Sequence, residues 1–183
     1  MVHDTIKVDA PLREVYDQWT QFEEFPRFMA GVEEVRQLDD RLLHWRTSIA
    51  GATREFDTEI VDQLPDERIT WRTVAGDVRQ KGVVTFQRLD DAHTRVTLAM
   101  DVEPSGVAEK SAAALGVLDS RIQGALRRFK DFIEERGRAT GGWRGRLRPA
   151  DTPDRSAPPP AAPSPAAPPP AAPQPPPVDP GHI

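Results

Sequence analysis

Apolar and polar residues alternate at the start of the chain, with Ile6 and Val8 on one side and Thr5, Lys7 and Asp9 on the other. That period of two predicts a half-buried strand over residues 2–9. Pro11 follows, placed where a first helical turn tolerates its missing N–H, with Asp9 or Ala10 as the cap. Leu12, Val15, Tyr16 and Trp19 then share one helical face. Residues 22–29 carry Phe22, Phe25, Phe28 and Met29 around Pro26, too apolar a set for a plain loop. A short helix and a turn closing over something apolar are expected there, ended by Gly31. From 32 to 103 the period is two throughout. Strands are predicted at 32–38, 41–49, 53–61, 68–74, 78–89 and 94–102, joined at Asp39-Asp40, Gly51, Pro65-Asp66, Gly76-Asp77 and Asp90-Asp91. The inward parity holds Leu43, Trp45, Thr47 and Ile49, then Arg54, Phe56, Thr58 and Ile60, then Ile69, Trp71 and Thr73. Val84 and Phe86 face Val96, Leu98, Met100 and Val102.

One long helix is predicted over 105–136. Leu115, Leu118, Ile122, Leu126, Phe129 and Ile133 recur at steps of three and four, and Gly137 is the expected glycine after the last turn. At about 1.5 Å per residue it spans roughly 45 Å, longer than any strand of such a sheet. The order strand, two short helices, six strands, long helix implies an α+β, helix-grip architecture: a curved, seven-stranded antiparallel sheet wrapped around the C-terminal helix. Ala108, Ala112, Gly116, Gly124 and Ala125 make parts of that helix thin, while the strands offer large aromatics. Small residues facing large ones predict an apolar cavity rather than a solid interior.

Proline splits the chain. Four of the 19 prolines precede residue 138 and the other fifteen follow it. The expected domain is 1–137, with a disordered Pro/Ala-rich tail over 138–183. The domain carries 19 basic and 26 acidic side chains, a poor balance for wrapping nucleic acid, so no nucleic-acid partner is expected. The absence of cysteine excludes disulfides, thiolate metal sites and a cysteine nucleophile. No run of eighteen apolar residues occurs, so no membrane-spanning segment is expected. The opening Met-Val-His-Asp lacks a signal-peptide pattern, and a cytoplasmic location is the expectation.

Candidate chemistry is sparse. His3, His44, His93 and His182 have no metal-ligand or triad spacing, so neither a metal nor a cofactor is expected. Arg54 and Tyr16 are the catalytic candidates: a guanidinium and a phenol on inward-facing positions could polarise a ketone or an enol. Arg54 is also near enough to a strand end to reach water. The expected ligand-binding wall comprises Phe25, Phe28, Met29, Trp45, Phe56, Trp71, Phe86 and Met100, faced by Gly116, Leu118 and Ile122 from the helix.

Asp9-Ala10-Pro11, Val15-Tyr16 and the run from Trp19 through Phe25-Pro26-Arg27-Phe28-Met29-Ala30-Gly31-Val32 resemble the opening of the START-like polyketide cyclase/dehydrase superfamily (SRPBCC). The branch with coenzyme Q-binding START domain proteins is the most similar. Gly82-Val83-Val84-Thr85-Phe86 and Thr94-Arg95-Val96-Thr97-Leu98 are weaker echoes, and the resemblance covers about residues 2–137. It implies a helix-grip fold with a deep cavity for a small apolar or aromatic molecule. It does not imply one activity, because the superfamily holds lipid carriers, receptors, cyclases and quinone binders. Binding of a quinone, lipid or aromatic polyketide is the leading reading. The alternatives are an aromatic polyketide cyclase or dehydratase, and an adaptor acting through the tail.

In the tail, the block Pro-Pro-Pro-Ala-Ala-Pro occurs at 158–163 and again at 168–173. Such composition forms a stiff polyproline II rod, either an inert spacer or a display of PxxP sites for a partner. Before it, Trp143 and Leu147 interleave with Arg144, Arg146 and Arg148. That stretch suits either an anionic surface or docking back on the domain; by composition alone, deletion of 138–183 is expected to leave stability unchanged.

Overall fold

The computed structural model describes residues 1–49, 51–103 and 112–149, by backbone alone at 49 and 112–115. The expected first turns of the long helix, 105–111, and the proline-rich blocks lie outside them. The elements are β1 (Val2–Val8), α1 (Leu12–Trp19), a 3-10 helix (Phe22–Arg27), β2 (Val32–Gln37), β3 (Leu42–Ile49), β4 (Ala52–Leu64), β5 (Arg68–Gly76), β6 (Arg79–Arg88), β7 (Thr94–Glu103) and α2 (Ala112–Arg136). Pro11 caps α1 in an extended conformation, one residue earlier than its expected place inside the first turn.

All strand pairs are antiparallel, in the order β1-β7-β6-β5-β4-β3-β2. β2 to β7 form a meander, and β1 returns to pair with β7, Ile6 opposite Val96. β1 and β2 are therefore sequence neighbours at opposite edges. α1 and the 3-10 helix carry the chain from one edge to the other. Register shifts at Asp57/Thr58 and Ile60/Asp62 between β4 and β5, and at Val32/Glu34 between β2 and β3, bend the sheet. The result is a half-barrel curled around α2, the helix-grip arrangement expected from the pattern. No helix among the described residues is long and apolar enough to cross a membrane.

Two glycines are dictated by neighbours. Gly76 adopts φ +102, and a Cβ there would lie 2.4 Å from the Glu55 carbonyl oxygen, so β5 can approach β4 only without a side chain. Gly82 sits opposite Trp71, and a Cβ there would lie 2.4 Å from the indole. The indole lies flat across β6 because that position is bare.

The interior divides along α2. Leu126, Phe129 and Ile133 are fully buried. Phe129 meets Trp19 at 4.7 Å and Phe28 at 5.2 Å between ring centroids, closing a solid aromatic layer. Gly137 ends the helix at φ +70, its N–H donating to the Ile133 carbonyl at 2.9 Å.

The domain does not stop at Gly137, as composition suggested. The compact unit continues past it, and residues 139–148 lie across α1. The Ala139 and Thr140 amides donate to the Glu14 and Gln18 side chains at 2.7 and 2.8 Å, and the Trp143 amide donates to Thr20 Oγ1 at 2.9 Å. Arg144 pairs with Asp17 at 2.6 Å and with Asp66, its guanidinium over the Tyr16 ring. Leu147, buried, exchanges both backbone hydrogen bonds with Gln63 of β4 at 2.9 Å. Of the two readings for this stretch, docking on the domain is the one its contacts bear out. The correction has a clear cause: these bonds are mostly backbone to side chain and leave no apolar period in the sequence.

Candidate functional site: an aromatic-walled cavity

Between the first half of α2 and the concave face of the sheet lies a cavity of about 240 Å³. β3 and β4 build one wall. Trp45 and Phe56 are register partners with rings stacked at 5° and 6.0 Å between centroids. The Trp45 indole donates to the fully buried Thr58 hydroxyl at 2.8 Å, which fixes its plane. Trp71, Ile69, Leu98 and Met100 form the floor, with Trp71 held flat by Gly82. Trp19, Phe22, Phe25 and Met29 close one end. α2 contributes Leu118, Arg121, Ile122, Ala125 and Arg128.

Of the expected wall, Phe25, Met29, Trp45, Phe56, Trp71, Met100, Leu118 and Ile122 line this space. Three others do not. Phe28 is 1% exposed and turned into the layer with Phe129 and Phe132, away from the cavity. Phe86 packs on Tyr16 and Trp19 at 5.3 and 6.0 Å, further along the same sheet face. Gly116 is exposed, with open space where a side chain would start. The helix is indeed thin over the cavity, but at Ala125. The stripe 118, 122, 125 faces inward, and Gly116 falls off it.

Neither catalytic candidate reaches the cavity. Arg54 has the inward parity and stands opposite Thr47, which does line it. Residues 52–55 are exposed whichever way they point, so no described residue buries the sheet there. Tyr16 is fully buried against Phe86 and does not line the cavity. Its hydroxyl accepts from Gln63 Nε2 at 3.1 Å, beneath the Arg144 guanidinium. Burial holds the Tyr16 phenol above its ordinary pKa of 10.0. A raised pKa favours the neutral folded form: its stabilising contribution is complete below about pH 10 and is lost as pH rises through the folded value. The chain has a single tyrosine, so tyrosinate absorbance at 295 nm reads this group alone. The native midpoint is expected above 10.0, falling to that value in denaturant; a native midpoint at the ordinary value would show that the phenol is open to water.

The histidines described are elsewhere. His44 pairs with Asp57 at 2.7 Å across β3 and β4, and His93 with Asp90 in a hairpin turn. Among the described residues no three His, Cys, Asp or Glu side chains gather to hold a metal ion. The polar lining consists of Thr47, Gln80, Arg121 and Arg128. The two arginines escaped the sequence reading because an arginine three residues from a stripe position reads as the solvated edge of an amphipathic helix.

Comparison with known proteins places this geometry. Residues 8–131 match the profile of the family described as polyketide cyclase / dehydrase and lipid transport. A relative from Streptomyces lincolnensis, described as an uncharacterized 17.2 kDa protein in the melC2-rnhH intergenic region, is 55% identical over 144 residues, 79% of this chain and 96% of its own. A START superfamily protein from Mycobacterium smegmatis superposes with a TM-score of 0.67 at 16% identity, covering 73% of this chain and 97% of that one. The Zhui aromatase/cyclase from Streptomyces sp. R1128 superposes with a TM-score of 0.64 at 18% identity, covering 78% and 98%. At such identities the two structures share the fold and nothing finer. With the family profile spanning most of the domain and the half-barrel gripping its helix, the chain belongs to the polyketide cyclase / dehydrase and lipid transport family.

Proposed function

We propose that the domain binds a small apolar or flat aromatic molecule, of the class of quinones, lipids or aromatic polyketides, and holds it without proton-transfer chemistry. One observation carries the reading: the cavity has a rigid aromatic wall, and no Asp, Glu, His, Lys or Tyr lines it among the described residues. General acid–base catalysis needs a group whose pKa lies near the working pH and within reach of the substrate. Thr47, Gln80 and two arginines offer hydrogen bonds and positive charge but no such group. The cyclase reading loses Arg54 and Tyr16 as its means. Burial of an apolar body against Trp45, Phe56 and Trp71 supplies the affinity, at about 25 cal/mol per Å² removed from water.

The neutral fluorophore N-phenyl-1-naphthylamine tests this. Micromolar binding is expected, with displacement by quinones or flat polyketide-like aromatics. Ala125→Leu should fill the space over the cavity and weaken binding at least about ten-fold, with the thermal midpoint unchanged or raised. Gly116→Leu, on the exposed side, should leave affinity as it was. No dye binding by the wild-type protein, or full affinity in Ala125→Leu, would remove the cavity from the functional argument.

A further inference from the structure

We propose that the molecule held in this cavity carries an acidic group on its apolar body, and that Arg121 binds that group from the helix side. The inference rests on the binding function proposed above and names the ligand class more narrowly.

The lining is one-sided in charge. The chain as a whole is acidic, with 29 Asp and Glu against 24 Lys and Arg. Yet the charged residues lining the cavity, among those described, are two arginines and no carboxylate. Both come from α2, seven residues apart on one face with Ala125 between them. Arg121 is half-buried on the helix side of the cavity, next to exposed Arg128 and across from exposed Ala30; Val78, Gln80, Val102 and Leu118 are also half-buried in the lining.

The two arginines differ in what they already hold. Arg128 donates from Nε to the Phe28 carbonyl at 2.8 Å, and its guanidinium folds over Gly124, 3.2 Å from where a Cβ would stand. It ties the helix to the 3-10 corner. Arg121 is half-buried and has no hydrogen bond, ion pair or ring contact with any described residue. A guanidinium carries five N–H donors in a planar fork that matches a carboxylate or phosphate bidentately. Placed against apolar walls, its field is weakly screened, so an anion there gains more than at an open surface. The arrangement fits an amphiphile lodged body-first, aromatic or aliphatic part against Trp45 and Trp71, acidic head toward Arg121.

A matched pair of dyes separates this from the cavity reading. 8-Anilino-1-naphthalenesulfonate has the skeleton of N-phenyl-1-naphthylamine plus an anionic group. Arg121→Gln should weaken the sulfonate dye roughly ten-fold or more, the scale of a charge-assisted hydrogen bond, and leave the neutral dye within about two-fold. The wild-type affinity for the sulfonate should fall with salt more steeply than that of Arg121→Gln. Equal effects on both dyes, or no effect on either, overturns the acidic-head assignment while neutral binding keeps the cavity reading intact. If the wild type binds neither dye, both fall together. The position is part-exposed and has no partner among the described residues, so the variant should fold; an unchanged thermal midpoint checks this.

Discussion

Ending the chain after Arg138 should lower the thermal midpoint by roughly 6–12 °C, whereas ending it after Pro149 should leave it unchanged. The shorter truncation exposes Tyr16 and Gln18, both fully buried in the whole domain, and leaves Gln63 without its backbone partner. It removes buried Leu147, a side chain whose burial stabilises by about 1.5–3 kcal/mol. It also removes Arg144, whose pairs with Asp17 and Asp66 are partly exposed and so contribute modestly. Hydrogen bonds from Ala139, Thr140 and Trp143 add about 0.5–1.5 kcal/mol each. Against these stands the entropy of ordering the segment, so only part of the gross gain remains. A net loss of about 3 kcal/mol, at about 2–4 °C per kcal/mol for a domain of this size, gives the expected shift. Differential scanning calorimetry of the two truncations decides it. Identical midpoints would mean that residues 139–148 lie on the domain without holding it.

Replacing Gly82 by Ala should both destabilise the domain and cut ligand affinity. The new Cβ would stand 2.4 Å from the Trp71 indole, and 2.8 and 2.9 Å from two further atoms of it. A rigid two-ring side chain cannot bend away, so the indole must rotate off β6 and into the space it lines. Such overpacking costs about 1–3 kcal/mol, and the cavity loses volume where its floor should be flat. Affinity for the neutral dye should drop by about ten-fold or more. Adding Trp71→Leu to Gly82→Ala should recover most of the stability, because the smaller side chain clears the Cβ. Wild-type midpoint and affinity in Gly82→Ala alone would show that Trp71 does not depend on the bare position.

The sequence by itself determined the fold. A period of two from 32 to 103, broken by short turns, leaves a meander as the economical pairing, and one long amphipathic helix leaves one face of that sheet to cover. The aromatic content of the wall was equally legible, because Trp45, Phe56 and Trp71 are inward by parity and too large to be surface residues. Parity, however, says which side a residue points to, not whether anything lies over it. Arg54 shares the parity of Phe56 and is exposed, because no described residue buries the hairpin end. The stripe on α2 likewise reads as one continuous apolar face. Only packing divides it into a solid half around Phe129 and a hollow half around Ile122 and Ala125, and only packing puts Gly116 outside. For segment 139–148 the sequence left docking and an anionic surface both open, for a different reason: its hold comes from long-range hydrogen bonds and one buried leucine, which have no period. Arg121 became visible last. Its significance depends on a cavity lining that holds no carboxylate among the described residues, and neighbours across 90 residues of chain are a property of the tertiary structure alone.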